Sequence, residues 1–254
     1  MPKFFVVSDI HGYYNEMINA LNDAGYDNHN PNHWLIVCGD IFDRGKQPVE
    51  VMRYLYWNER TILVRGNHED LLLDMCKRGY PMMHDYANGT FDTAIALGTR
   101  AGLEQSIADK FDAAYNRVIN LFNRMVNYFE TQNYIFVHGD MIRDPLYSYI
   151  YPPNWRTIEL ADGWWEQARW NSPLKNKRDW LEHRADGVDG KTLVFGHWHC
   201  SKGWNLIDGT PEFGEGENFE IFKYKKLIGI DACTAYTNKV NVLVLEDDFI
   251  KEEC

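Results

Sequence analysis

Cysteine is scarce and unpatterned in this sequence. The five cysteines are odd in number, scattered, and without CxxC spacing: Cys38, Cys76, Cys200, Cys233 and Cys254. This distribution argues against a zinc knuckle and against a disulfide framework, because both need cysteines at defined spacings. We therefore expect reduced, buried thiols, which is the usual state of cysteine in a cytosolic protein.

Long hydrophobic runs are also lacking. No apolar stretch is long enough to cross a bilayer. The N-terminal sequence MPKFFVVSDI has neither a long apolar region nor a small-residue cleavage site, so it does not resemble a signal peptide. These absences predict a cytoplasmic protein with no membrane partner.

Positive charge is in short supply. The chain has 26 Lys and Arg residues against 37 Asp and Glu residues, and its formal net charge is -11. Because an acidic protein repels the phosphate backbone, we expect no long nucleic acid as substrate. A cluster of metal-binding carboxylates could account for part of the negative charge.

The length of 254 residues and the hydrophobic content of 45% suit one large domain, over residues 1–254, with a substantial core.

Short apolar strands alternate with helical patterns over the first third of the chain. We predict strands at 3–8, 34–38 and 60–65, and helices at 14–24, 48–58 and around 71–75. Further strands are expected at 134–137, 192–195, 226–231 and 240–245. This alternation is typical of a layered α/β domain.

Two segments interrupt the strand pattern. Residues 79–131 carry a long helical periodicity and are interpreted as a helical insert over the sheet rather than a separate domain. Residues 141–190 are predicted to be rich in loops and contain many tryptophans: Trp155, Trp164, Trp165, Trp170 and Trp180. We interpret these tryptophans as packing residues, with a substrate wall as the alternative.

Five of the apolar strands end in residue types that bind metals. These residues are Asp9 and His11, Asp40, Asn67 and His68, His138, and His197 with His199. Carboxylate, amide and imidazole ligands suit manganese, iron(II) or zinc, and the lack of thiolate argues against soft-metal sites. Ligands of open α/β sheets bind where strands end. An aspartate at the centre of such a set can bridge two metals about 3.5–4 Å apart, which activate a water and clamp a phosphoryl oxygen.

The order and spacing of these motifs carry a family resemblance. The motifs are Ser8-Asp9-Ile10-His11-Gly12, the stretch GDIFDRG at 39–45, Gly66-Asn67-His68-Glu69, Val137-His138-Gly139 and Gly196-His197-Trp198-His199. Together they resemble the successive signatures of the calcineurin-like metallophosphoesterases. The Asp-Arg-Gly and Asn-His-Glu forms are similar to the phosphoprotein phosphatase branch, which includes lambda-phage and bacterial Ser/Thr phosphatases and symmetrical dinucleoside tetraphosphatases. Asn88-Gly89-Thr90 and Ile230-Asp231-Ala-Cys are similar to secondary motifs of that branch.

The resemblance implies a four-layer α/β/β/α sandwich with a dinuclear metal site. It assigns Asp9 and His11 to the first metal, Asp40 to both metals, and Asn67, His138 and His197 to the second. We expect two divalent ions, manganese first, with iron or zinc as alternatives.

The resemblance also implies catalytic roles near the metals. Arg44 would grip the phosphate oxygens, since a guanidinium fork matches their geometry, and Asn67 would help to bind the substrate. His68, oriented by Asp43, would protonate the leaving oxygen. The alternative for Asp43 is a plain loop salt bridge to Arg44.

Two features depart from the branch pattern. The branch usually has one histidine in its last motif, whereas His199 here supplies a second, as in the broader superfamily, where that histidine joins the first metal. The branch also tends to place a second phosphate-gripping arginine just after a Trp-Asn pair, and that position here is Ser172. Arg169 or Lys175 is the expected substitute, and Arg169 is our candidate for substrate binding.

The possible substrates differ in the number of negative charges that the protein must bind. A dinucleoside tetraphosphate carries about four negative charges and so needs several cations at the cleft rim, whereas a phosphomonoester presents one phosphate. We therefore expect a Ser/Thr-type protein phosphatase acting on a phosphorylated protein or small phosphoester. A dinucleoside tetraphosphate hydrolase is the alternative, with stacking tryptophans and a local basic rim of Arg169, Lys175, Lys177 and Arg178. A non-enzymatic alternative is an inactive metal-binding scaffold that uses the helical insert to bind a partner.

Overall fold

A computed structural model describes residues 1–143, 151–157, 161–175 and 178–250. The first sheet has four strands: Lys3–Val7 (β1), His33–Cys38 (β2) and Thr61–Val64 (β3) from the N-terminal part of the chain, and Leu243–Glu246 (β9) from near its C-terminal end. The strand order is β3-β2-β1-β9, in which β1, β2 and β3 are parallel and β9 runs antiparallel to β1. The carboxyl ends of the three parallel strands therefore meet at one edge of this sheet.

A second sheet has five strands: Phe129–Glu130 (β4), Tyr134–Phe136 (β5), Thr192–Phe195 (β6), Phe222–Tyr224 (β7) and Leu227–Gly229 (β8). Their order is β4-β5-β6-β8-β7, with β5, β6 and β8 parallel and the two outer strands antiparallel to their neighbours. Here too the carboxyl ends of three parallel strands lie side by side.

The two sheets pack face to face. Successive side chains of a strand point to opposite faces, so Phe4 and Val6 of β1 lie between the sheets while Phe5 and Val7 face the helices. Burial on both faces is the reason why β1 and β2 are almost continuously apolar rather than alternating. Phe136 and Val194 of the second sheet complete the inner layer.

Helices cover both outer faces. The first sheet carries Tyr14–Asp23 (α1), Pro48–Trp57 (α2), Asn67–Arg78 (α3), Met83–Asn88 (α4), Thr90–Gly98 (α5) and Ile107–Phe122 (α6). The second sheet carries Ala161–Arg169 (α7), Arg178–Arg184 (α8) and Cys200–Asp208 (α9), and the short helix Thr234–Thr237 (α10) follows β8. The predicted four-layer α/β/β/α sandwich is confirmed.

The longest of these helices begins at a capping box. The Ser106 hydroxyl accepts a hydrogen bond from the Asp109 backbone N–H (3.1 Å), and the Asp109 carboxylate accepts one from the Ser106 N–H (2.9 Å). Such a cap stabilises a helix by about 1 kcal/mol. The interior face of α6, including Phe111, Val118 and Leu121, then packs against the first sheet and its other helices.

The segment boundaries differ from the sequence prediction in two places. Helices α4–α6 end at Phe122, and the last part of the expected insert belongs to the sheets: Val126 bridges to Val64, and Phe129–Glu130 pairs with β5. Residues 141–190, predicted to be rich in loops, also contain the helices α7 and α8.

The tryptophans of this segment divide into two groups. Trp155 and Trp165 are buried beneath the second sheet, where both rings contact Tyr128. Trp170 is 45% exposed. The side chain of Trp180 and all of Lys177 lie outside the described residues.

Cys38, Cys76 and Cys200 are buried, Cys233 is partly buried, and all four are free thiols; Cys254 lies outside the described residues. Among the helices that the structure describes, none has the length and apolar character needed to cross a membrane.

Candidate metal centre

The loops that follow β1 and β2 are hydrogen-bonded to each other at the sheet edge. The Asp9 N–H donates to the Gly39 carbonyl (3.1 Å) and the His11 N–H to the Asp40 carbonyl (2.9 Å). Asp9, His11 and Asp40 all have left-handed backbone conformations, with φ between 50° and 52°. These tight turns bring the side chains back over the strand ends.

Asp40 lies between two groups of potential metal ligands. One group is His11, Asp40 and His68, the other is Asp40, His138 and His197, and the ligand atoms within each group lie within 4.8 Å of one another. Asp40 Oδ1 is 3.4 Å from His138 Nε2, and Asp40 Oδ2 is 3.8 Å from His11 Nε2. The two carboxylate oxygens thus face different groups, as a bridging ligand requires.

Backbone carbonyls fix the histidine tautomers. His11 Nδ1 is 2.9 Å from the Phe42 carbonyl and His138 Nδ1 is 2.8 Å from the Cys38 carbonyl. A carbonyl only accepts, so each Nδ1 carries the hydrogen and each Nε2 presents a lone pair. His138 Nε2 is also 2.8 Å from Asn67 Oδ1, which places two acceptors against each other. A shared cation resolves that contact, and the donor set fits a divalent metal at this point.

Three buried carboxylates strengthen the same conclusion. Burial raises the pKa of Asp9 well above its ordinary value, and the charges of Asp231 and Asp40 raise it further. Burial also raises the pKa of Asp231, to about 7. Burial would raise the pKa of Asp40 too, but the surrounding histidines, His138 first, lower it below its usual range. Such a concentration of buried negative charge fits a site for divalent cations.

Asp9 and His197 link the ends of the two sheets. The Asp9 carboxylate accepts a hydrogen bond from the His197 N–H (2.9 Å). A side chain at Gly196 would place its Cβ 2.3 Å from Asp9 Oδ2, so only glycine permits this approach. The His197 ring lies 5.0 Å from that of His138, measured between centroids. Burial, followed by the charge of His138, lowers the pKa of His197 to about 3.

The structure does not bring His199 to this cluster. An extended backbone at this point would direct His197 and His199 to the same side. Instead His197 has φ +64°, and the Trp198 N–H bonds back to the Gly196 carbonyl (2.7 Å), so the chain turns. His199 Nδ1 lies 2.8 Å from the Ser201 hydroxyl and Nε2 lies 3.4 Å from Glu212. In this arrangement the ring nitrogens of His199 face Ser201 and Glu212, and its assignment to the first metal stays a prediction.

Hydrogen bonds connect the His68 side chain through Asp43 to Thr90. Its Nδ1 lies 2.7 Å from Asp43 Oδ2, which also accepts a hydrogen bond from the Thr90 hydroxyl (2.6 Å). Asp43 is fully buried. Burial lowers the pKa of His68, but the charges of Asp40 and Asp43 outweigh it and leave the pKa above its ordinary value. Asp43 thus orients His68, and it is not the partner of Arg44 in a loop salt bridge.

Arg44 extends over the same face. Its two terminal nitrogens lie 2.8 Å from His11 Nε2 and 3.2 Å from His68 Nε2. A guanidinium in this position can donate to a phosphate oxygen beside the metals.

Glu69 has a role that sequence reasoning did not assign. Its two carboxylate oxygens accept hydrogen bonds from the backbone N–H groups of Asp40 (3.0 Å), Ile41 (2.9 Å) and Gly66 (2.7 Å). Burial, with the nearby charge of Asp40, raises the pKa of Glu69 to about 7. This carboxylate ties the loop after β2 to the start of α3. Its place as third residue of a helix was a usable signal, because that is where a capping carboxylate reaches back.

Asp231 is a second such omission. It follows β8, and it is buried with its carboxylate accepting from the Cys233 N–H (2.7 Å). The signal was present in its position two residues after the end of a strand, as for Asp9 and Asp40.

The predicted substrate residue Arg169 is engaged by other side chains. Its Nε donates to Asp70 (2.6 Å) and its Nη1 to the Asn127 side-chain oxygen (3.0 Å). Ser172, which stands at the expected arginine position, is buried and accepts from the Leu174 N–H. Lys175 is exposed and donates to Asn171.

The family model described as calcineurin-like phosphoesterase matches residues 2–201. The chain belongs to this family. Among curated relatives, an asymmetrical bis(5'-nucleosyl)-tetraphosphatase PrpE of Bacillus velezensis is 39% identical over 72 residues, which cover 25% of this chain and 29% of the relative. The serine/threonine-protein phosphatase PP1-delta of Caenorhabditis elegans is 30% identical over 73 residues, which cover 27% of this chain and 23% of the relative. The matched segment is thus less than a third of the length of either relative.

One solved structure extends the comparison to nearly the whole chain. The cold-active protein tyrosine phosphatase of a psychrophilic Shewanella species aligns with a TM-score of 0.53 and 17% sequence identity, covering 97% of this chain and 76% of that one. At this identity the likeness shows the fold alone.

Proposed function

We propose that this calcineurin-like phosphoesterase is a two-metal hydrolase of phosphomonoesters, of the Ser/Thr protein phosphatase type. The observation that carries the proposal is the position of Asp40, whose two oxygens face two separate histidine groups. Asp9 and His11 would hold the first metal, and Asn67, His138 and His197 the second, with Asp40 shared. Manganese suits these oxygen and nitrogen donors, as do iron(II) and zinc. When bound, the metals would activate a water and neutralise charge on the phosphoryl group.

The chain's own residues supply the remaining functions. Arg44 binds phosphate oxygens through its paired N–H groups and stabilises the charge that develops on them. His68 holds a proton at Nε2 for the leaving oxygen, while its Nδ1–H is directed to Asp43. The intact Arg44 and His68 pair argues against an inactive scaffold.

The charges at the rim favour a monoester. Arg44 lies at the ligand cluster, whereas the guanidinium of Arg169 is engaged by Asp70 and Asn127. A single dianionic phosphate can be held by the metals and Arg44 together. A phosphorylated serine or threonine of a protein presents such a group, and so does a small phosphoester.

A dinucleoside tetraphosphate is the second candidate. Trp170 is 45% exposed, and its ring centroid lies 6.2 Å from that of His197, so it stands where a nucleobase could stack next to the centre. The likeness to the Bacillus tetraphosphatase supports the same candidate.

The test compares kcat/KM for a phosphothreonine peptide and for diadenosine tetraphosphate, with manganese and at one ionic strength. We expect the higher value for the peptide. A clearly higher value for the dinucleotide would reverse the ranking, and hydrolysis of neither substrate in manganese-loaded protein would reject the proposed function.

A further inference from the structure

Asp70 is shared between two arginines. Its Oδ2 accepts a hydrogen bond from Arg169 Nε at 2.6 Å, and its Oδ1 forms an ion pair with Arg65, 2.7 Å from Arg65 Nε. The Asp70 side chain is 18% exposed and that of Arg169 is 8% exposed, so the pair is largely removed from solvent. Asn127 adds a bond to Arg169 at 3.0 Å. One carboxylate therefore fixes two guanidinium groups in place.

This group lies beside the candidate metal centre. Asp70 is in the first turn of α3, the helix whose first two residues are Asn67 and His68. On the other side, the Arg169 carbonyl packs so closely against Gly139 that an added Cβ would lie 2.8 Å from its oxygen, and Gly139 follows His138 directly. Arg65, Asp70 and Arg169 also line one open pocket together with Lys77, Asn127 and Glu166.

Asp70 places one negative charge between two positively charged arginine side chains. A guanidinium has five N–H donors and is the preferred partner of phosphate. Two such groups next to a phosphate-binding centre would form a second site for a phosphate. With Asp70 between them, an entering anion must compete with a carboxylate that is already hydrogen-bonded to Arg169 and ion-paired with Arg65, and it must tolerate the negative charge of that carboxylate.

We propose that Asp70 determines the substrate class by occupying the two arginines that would otherwise bind a second phosphate. The protein thereby selects monophosphate esters over diphosphate and polyphosphate groups. The inference rests on the proposed phosphoesterase function and adds the residue that sets its selectivity.

The alternative is that Asp70 only anchors α3 to the C-terminal end of α7. If Asp70 is only a structural anchor, its substitution should change the affinity for a ligand with one phosphoryl group and for a ligand with two by the same factor. Selectivity between the two ligands is therefore the property that separates the two roles.

The experiment measures binding rather than turnover. Manganese-loaded protein is titrated calorimetrically with methylphosphonate, which has one phosphoryl-type group, and with methylenediphosphonate, which has two and resists hydrolysis. The variants are Asp70→Asn, Asp70→Glu, and Asp70→Asn combined with Arg169→Gln. Asp92→Asn is the control, since Asp92 is an exposed carboxylate in the first turn of α5 and is not among the residues that line this pocket.

We expect Asp70→Asn to raise the preference for the diphosphonate about tenfold, equivalent to about 1.4 kcal/mol. Asp70→Glu should restore the wild-type preference, and the added Arg169→Gln should cancel the gain. Asp92→Asn should leave the preference unchanged. An unchanged preference in Asp70→Asn, or the same gain in Asp92→Asn, would overturn the inference.

A single variant covers the case in which Asp70→Asn fails to fold. Arg169→Gln alone should not weaken diphosphonate binding, because Asp70 already occupies that guanidinium. A clear loss of diphosphonate binding in this variant would overturn the inference as well. Since neither result depends on hydrolysis, failure here is distinct from failure of the proposed activity.

Discussion

The two sides of the metal centre differ in how their residues are positioned. On the side of the first sheet, Asp9, Asp40 and Asn67 come two or three residues after a strand, and backbone bonds between the loops fix them. On the side of the segment at 141–190, Arg169 is far from any strand and depends on Asp70 and Asn127 for its orientation. A functional side chain close to a strand end is therefore positioned by the fold. A side chain on a long connection is positioned by the side chains that contact it.

Substitution of the shared carboxylate should have the largest effect. We expect Asp40→Asn to weaken both metals, because the amide removes a negative charge that faces both ligand groups. Metal content by elemental analysis and turnover of a phosphopeptide should both fall. Retention of both metals at wild-type affinity would show that Asp40 does not bridge them.

His68→Asn should keep the metals and lose turnover. A general acid contributes about 10²–10⁴-fold, and the loss should be greatest with poor leaving groups. An aryl phosphate, whose leaving group needs less protonation, should suffer less than an alkyl phosphate. Equal losses on the two esters would remove His68 from the general-acid role.

Glu69→Gln tests the positioning of the first side of the centre. The carboxylate accepts three backbone N–H bonds around Asp40, and an amide cannot accept all of them. We expect metal affinity to fall about 10–100-fold, the range found for residues that orient ligands. The exposed Glu59→Gln is the control. Unchanged affinity in Glu69→Gln would mean that the loop after β2 holds its shape without this contact.

The smallest effect is expected at His199. Because its ring nitrogens face Ser201 and Glu212, His199→Ala should leave metal affinity within about 0.5 kcal/mol of wild type. His197→Ala, two residues away, should lose the second metal. Loss of the first metal in His199→Ala would show that the ring turns toward Asp9 when metal is bound.

The sequence was most informative where function and secondary structure coincide. The apolar strands, the layered fold and the placement of Asp9, Asp40 and His138 at strand ends follow from local pattern, since these residues adjoin the strands that carry them. The orientation of His199 toward Ser201 and Glu212 was not predicted, because the turn at His197 is a backbone conformation that residue type does not reveal. The engagement of Arg169 by Asp70, 99 residues away in the chain, is a tertiary contact between the end of α7 and α3 that local pattern does not reveal.

We propose above all that Asp40 lies between two metals that together hydrolyse a phosphoester. The most direct test is the metal content of protein loaded with manganese, measured with phosphopeptide hydrolysis on the same sample, before and after chelation. We predict two ions per chain, loss of hydrolysis when both are removed, and recovery when manganese is restored. One ion or none in fully loaded protein, or hydrolysis that survives complete chelation, would contradict the account.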